Sequence, residues 1–154
     1  MSQLLLDIAP DRRQPTLDNF VAGRNLELLS VLRHALAGSS SERSFYLWGG
    51  AGSGKSHLLQ ACVHAALDTQ HSAVYAQDSI PQPAEVVAVD DVERLDDAAQ
   101  IGLFDLYNRM RDSGGMLLVS GTQAPLHLML RDDLRTRLGW GLVYQVHGLS
   151  DEEK

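Results

Sequence analysis

Cysteine is almost missing from this chain. Its 154 residues include a single one, Cys62, which excludes an internal disulfide framework. On an apolar helical pattern, Cys62 reads as a small buried hydrophobe rather than a reactive thiol. Long apolar runs are missing too. Nothing approaches the ~20 residues of a membrane helix, so no membrane partner is expected. Leu4-Leu5-Leu6 is too short for a signal core and is followed by Asp7 rather than a basic flank, so a cytoplasmic protein is expected. Basic charge is also scarce. Thirteen Lys and Arg face twenty Asp and Glu, a net charge of −7. That balance argues against a surface built mainly to hold nucleic acid, and no direct sequence-specific DNA binding is expected. The six histidines show no metal-ligand spacing. His57, His64 and His71 recur every seven residues without Cys or Glu partners, which points to surface or helix-packing roles.

What is present is concentrated in one stretch, Gly49-Gly50-Ala51-Gly52-Ser53-Gly54-Lys55-Ser56. It fits the Gly-x4-Gly-Lys-Ser pattern of a phosphate-binding loop. Phe45–Trp48 before it reads as a buried strand, and His57–Leu67 after it carries apolar residues at helical spacing. The glycines at 49, 50, 52 and 54 let the backbone turn its N–H groups toward phosphate oxygens. The following helix directs its positive end at the same place. Lys55 can reach the β- and γ-phosphates of a nucleotide, and the Ser56 hydroxyl can ligate Mg²⁺.

Around this loop the pattern alternates strand and helix, which makes the expected fold α/β with a central parallel sheet flanked by helices. Asn25 is a candidate N-cap for a helix from Leu26 to Leu36 ended by Gly38. Strands are expected at Ala73–Ala76, Val86–Asp91, Met116–Ser120 and Leu142–Val146. Helices are expected from Asp96 or Asp97 through Met110, stopped by Gly114-Gly115, and from Leu126 to Leu138. The apolar run Val86–Val89 suits a strand buried on both faces. Asp90 and Asp91 emerge at its carboxyl end, where ligands gather in open α/β sheets. Asp90 suits the acidic residue that holds Mg²⁺ and its water, and Asp91 one that orients or deprotonates attacking water. Gly121-Thr122-Gln123 is expected to form a polar tip at the same sheet end, from which a hydrogen bond to a γ-phosphate or attacking water could originate. Arg131, Arg135 and Arg137 are solvated arginines by default, with one reaching a neighbour's phosphate as the functional alternative. Ser150-Asp151-Glu152-Glu153 has capping-box spacing for a helix that then stops at Lys154. The expectation drawn from it is a lost following element.

The opening box Thr16–Asn25, the loop Gly49–His57, the strand Val86–Asp91 and the stretch Leu134-Arg135-Thr136-Arg137-Leu138-Gly139-Trp140-Gly141-Leu142 together resemble the DnaA clade of AAA+ proteins. Leu103–Arg109 is close to a phrase in the Hda-type regulatory inactivators of that clade. The resemblance implies a P-loop AAA+ base domain over 16–149, a helical lid that is absent beyond a first few residues at 150–154, and ADP or ATP with Mg²⁺ as cofactors. By the same resemblance Phe20, Val21 and His57 join the loop in holding nucleotide. Gln3-Leu4-Leu5-Leu6-Asp7-Ile8 resembles the peptide by which such proteins bind the DNA polymerase III sliding clamp. It makes Gln3, Leu4, Leu6 and Ile8 the clamp contacts of a flexible segment over 1–15. The implied activity is negative regulation of replication initiation, with Arg137 as an arginine finger completing the hydrolytic site of the initiator DnaA. The usual Asp of the Ser-Gly-Asp-Arg-Pro stretch is Thr122 here, and weak intrinsic ATPase at most is expected. A AAA+ ATPase of helicase-loader or initiator type is the competing reading, and a homo-oligomer stays open.

Overall fold

The computed structural model describes residues 15–17 and 25–148. The expectations for Gln3, Leu4, Leu6 and Ile8, for Phe20 and Val21, and for 150–154 lie outside those residues. Among the described residues there are five strands: β1 (Ser44–Trp48), β2 (Ala73–Gln77), β3 (Val86–Asp90), β4 (Met116–Gly121) and β5 (Leu142–Gln145). They form one sheet in the order β2-β3-β4-β1-β5, and every pairing is parallel. Helices α1 (Leu26–Leu36), α2 (Lys55–Asp68), α3 (Asp97–Ser113) and α4 (Asp132–Leu138) cover its faces.

The strand sequences explain the layering. Successive side chains alternate between faces, so Phe45, Leu47, Ala88 and Leu118 pack toward α1 and α2. Tyr46, Val87, Val89 and Val119 pack toward α3 and α4. Central strands therefore need apolar residues at every position, as β3 and β4 show with complete burial. The edge strands β2 and β5 are only half-buried. On α2, Leu58, Leu59, Cys62, Val63 and Ala66 are all buried, as their spacing predicts.

The histidine spacing resolves into packing. His57 and His64 lie two turns apart on one face of α2, where their rings bond the carbonyls of Thr16 and Pro15, each at 2.9 Å. They lay that segment along the helix and bring Leu17 into the core. Arg43 fastens two helix ends by donating to Ala35 O (2.8 Å) at the end of α1 and Gly114 O (3.3 Å) at the end of α3. A cation suits these carbonyl-rich termini.

Asp96 caps α3, its carboxylate accepting from Ala99 N at 2.8 Å, and Gly114 ends that helix at φ +76°. One other expectation is refined and one corrected. Asn25 stands at the N-cap position of α1, but its side chain makes no capping bond. Its amide instead clasps the backbone of His147, donating to O and accepting from N at 2.9 Å each. The expected helix from Leu126 to Leu138 is broken into a 3₁₀ turn, Pro125–His127, and the seven-residue α4. Between them Leu128 turns into an extended conformation and drops into the core at 1 % exposure. The Arg131 amide bonds the Gln100 side chain on α3 at 2.9 Å rather than a helical carbonyl. Leu126 and Met129, within the expected helix, are 85 % and 94 % exposed.

Candidate functional site

The phosphate-binding motif lies where the sheet order reverses. β1 sits between β4 and β5, and its continuation is gripped from both sides. Gly49 N–H donates to Gly121 O at 3.1 Å, and Val146 N–H donates to Trp48 O at 2.6 Å. A Cβ on Gly49 would stand 2.4 Å from Val146 O, so only glycine passes there. Gly52 at φ +78° and Gly54 at φ +103° take the left-handed conformation that lets the chain curl into the start of α2.

Several features of this loop suit an anion. The first turn of the 14-residue α2 carries no acidic residue, so its N-terminal amides and dipole are unopposed. Ser53 is 8 % exposed, and its buried Oγ has no hydrogen-bond partner. Buried hydroxyls are normally paired, so an oxygen-rich ligand at the loop would answer the deficit. Lys55 is buried and donates from Nζ to the carbonyls of Gly49 (2.6 Å) and Gly50 (3.0 Å). Residues 51–57 and Asp91 line a cleft of about 350 Å³. Of the expected nucleotide-binding residues, Gly52, Ser53, Gly54, Lys55, Ser56 and His57 are thus brought together with Asp91 around one space.

Asp90 is fully buried at the carboxyl end of β3, and its carboxylate collects three hydroxyl donors. Ser56 donates to Oδ2 at 2.6 Å and Tyr75 to the same oxygen at 2.5 Å. Ser120, on β4, donates to Oδ1. Such satisfaction permits burial of a charged group. Ser56 and Asp90 offer the hard oxygens that Mg²⁺ takes together with water and phosphate ligands, and they are already linked. No group of three or more His, Cys, Asp or Glu capable of holding a metal without such co-ligands occurs among the described residues.

Asp91 adopts φ +56°, ψ 64°, the left-handed region that Asp enters more readily than most residues. Its amide donates to Ser120 Oγ at 2.8 Å, and its carboxylate accepts from Gln77 Nε2 at 3.1 Å. Burial first, then the adjacent Asp90 charge, raises its pKa above the ordinary carboxylate value, while Lys55 and Arg94 pull it down. Ser120 therefore ties the acidic pair together. Sequence reasoning passed over Ser120, Tyr75 and Gln77, although a serine ending the otherwise apolar run of β4 was a visible signal.

Two expected residues stand apart from the cleft. Thr122 gives both its amide (2.7 Å) and its hydroxyl to the Glu93 carboxylate, another residue the sequence reading missed. Arg137, near the end of α4, donates to Asn108 Oδ1 at 2.6 Å and lies between the rings of Phe104 and Trp140. It lines a cavity of about 350 Å³ with Arg43, Ser44, Trp140 and Gly141, at the end of the sheet where the strands begin. Gly141 packs so closely there that a Cβ would come 2.3 Å from Ser44 O. The five residues of β1 separate this end from the loop by about 13 Å at ~3.3 Å per residue.

Comparison with known proteins follows the same lines. Residues 12–79 match the family described as the bacterial DnaA ATPase domain. An uncharacterized protein of Haemophilus influenzae is 37 % identical over 154 aligned residues, spanning 90 % of this chain and 66 % of that protein. The solution structure of protein NMB1076 from Neisseria meningitidis is 40 % identical, with TM-score 0.58 over 95 % of this chain and 94 % of that one. AMPPCP-bound DnaA from Aquifex aeolicus superposes with TM-score 0.78 at 22 % identity, covering 86 % of this chain and 50 % of that one. At that identity the likeness is one of fold. The chain thus spans just under two thirds of the curated relative and half of the initiator. Among the described residues no helix is long and apolar enough to cross a membrane.

Proposed function

We propose that this chain is a DnaA-like AAA+ protein, a nucleotide-bound regulator of replication initiation that stimulates ATP hydrolysis by the initiator DnaA. The observation that carries the reading is the separation of two features: a phosphate-binding loop at one end of the sheet and Arg137 at the other. Arg137 cannot serve its own loop across the length of β1. An arginine at that place acts on a nucleotide held by another domain.

The division of labour follows from the side chains. Backbone amides of residues 50–56 and Lys55 hold the phosphates of ADP or ATP, with the Ser53 hydroxyl as a further donor. Ser56, with Asp90 beside it, would hold Mg²⁺, which when bound neutralises phosphate charge. Asp91 orients water beside the cleft. On the partner, Arg137 supplies positive charge to the transferring phosphoryl group, an effect worth about 10³–10⁵ in rate in GTPase systems. Phe104, Asn108 and Trp140 fix its direction. Thr122, tied to Glu93, brings no charge of its own to the loop, which fits weak intrinsic turnover. The segment holding Gln3, Leu4, Leu6 and Ile8 is proposed to tether the protein to the DNA polymerase III sliding clamp, a role that rests on sequence resemblance.

DnaA ATP hydrolysis measured with clamp-loaded DNA and this protein tests the reading. Wild type stimulates turnover; Arg137→Ala binds nucleotide and clamp normally and stimulates none. Loss of clamp pull-down in Gln3→Ala/Leu4→Ala supports the tether. Brisk hydrolysis by the isolated chain, with no effect on DnaA, favours a AAA+ ATPase of helicase-loader type instead.

A further inference from the structure

Resting on the nucleotide-binding reading above, we propose that Tyr75 is a positioning residue that occupies the acceptor site on Asp90 a magnesium-bound water would use, so that nucleotide binding here gains little from the cation. A carboxylate has about four lone-pair sites. Three are taken on Asp90, two of them on Oδ2, the oxygen nearest the loop through Ser56. Each donor hydroxyl has a single hydrogen, and each spends it on Asp90. The Ser56 oxygen keeps lone pairs for a cation and can bind one without breaking its bond to Asp90. The Tyr75 phenol takes the second acceptor site on the same oxygen, which leaves no site on Oδ2 for a hydration water.

The placement of Tyr75 is built into the sheet. β2 runs parallel beside β3 with Tyr75 in register with Ala88, two residues before Asp90. Its ring packs against the core on the α2 side, and its length carries the hydroxyl forward to the carboxylate. The phenol donates its one hydrogen to Asp90 Oδ2. Asp90 itself is out of solvent, so losing one of these donors without a replacement is unfavourable. On Oδ2, the oxygen it shares with Ser56, Tyr75 therefore competes with any water carried by a magnesium ion.

Calorimetric titration of ADP into wild type and Tyr75→Phe, each with magnesium and with EDTA, tests this. In wild type the two affinities agree within about threefold. In Tyr75→Phe the magnesium titration tightens to about tenfold over EDTA, the scale of one hydrogen bond to a charged group. A merely structural phenol would shift both affinities together and lower the melting temperature while leaving their ratio alone. An unchanged ratio in the variant, or a wild-type ratio already above tenfold, overturns the proposal. Manganese binding to the ADP-loaded proteins, read by electron paramagnetic resonance, gives the same answer independently: tighter in Tyr75→Phe if the proposal holds, equal if it fails. Absence of ADP binding by wild type under both conditions defeats the nucleotide reading itself, and this inference with it.

Discussion

The guanidinium of Arg137 lies 4.5 Å from the ring centroid of Trp140, a tryptophan that is itself 65 % exposed. Phe104 faces the same group at 4.6 Å. A cation held between rings is worth about 0.5–1 kcal/mol at a partly exposed site. Trp140→Ala should therefore lower the melting temperature by about 1–4 °C. It should also weaken stimulation of DnaA, though less than Arg137→Ala, since the charge survives without its direction. Thermal melts and hydrolysis assays on the same preparations check both halves. Full stimulation by Trp140→Ala would remove the ring from any positioning role.

Asp91 carries a raised pKa, chiefly from burial and then from Asp90. For such an acid the native state favours the protonated form. Its stabilising contribution is present below the ordinary Asp value of about 3.9 and is lost as pH rises through the folded value. Asp91→Asn removes the charge and keeps a residue that tolerates the left-handed conformation. It should melt higher than wild type at neutral pH, with the gap closing as pH falls through the carboxylate range. A gap that widens on acidification contradicts the assignment.

Gly49 and Gly50 are neighbours with opposite tolerances. A Cβ at 49 meets the Val146 carbonyl at 2.4 Å, whereas at 50 nothing lies within 4 Å. Gly49→Ala should lose about 1–3 kcal/mol in urea unfolding, the usual scale of a forced backbone shift. Gly50→Ala should stay within about 0.5 kcal/mol of wild type. Equal losses would mean that the grip of β5 on the loop is not what demands glycine.

Cys62 is fully buried on α2, and burial pushes its thiol pKa up to about 12. The native protein should be inert to an aromatic disulfide reagent at pH 8 and react at one thiol per chain in denaturant. Prompt native reactivity would show that α2 opens locally.

Much of this arrangement was legible before any coordinates. The loop's fixed spacing, the apolar run ending in Asp90 and Asp91, and the buried stripe of α2 all follow from local periodicity, and each is where it was expected. What was missed depends on neighbours far away in sequence. Ser120 and Tyr75 reach Asp90 only because β2, β3 and β4 lie side by side, an order no local pattern encodes. Asn25 was read as a cap because cap residues are local signals; its bond to His147 spans the domain. Residues 126–138 misled for the opposite reason. Their apolar spacing imitates a helix, but Leu128 is required in the core and Leu126 is left outside.

The distance along β1 between the loop and Arg137 has a consequence for assembly. A contact that brings Arg137 of one domain to the phosphates of another pairs two different sites, so it closes in a two-fold pair only where each domain gives both at once, and otherwise repeats head to tail. In a head-to-tail arrangement each added domain would leave a donor face unspent at one terminus and an acceptor face at the other. Such growth would have polarity, and would stop only where a ring shuts or a partner caps the run.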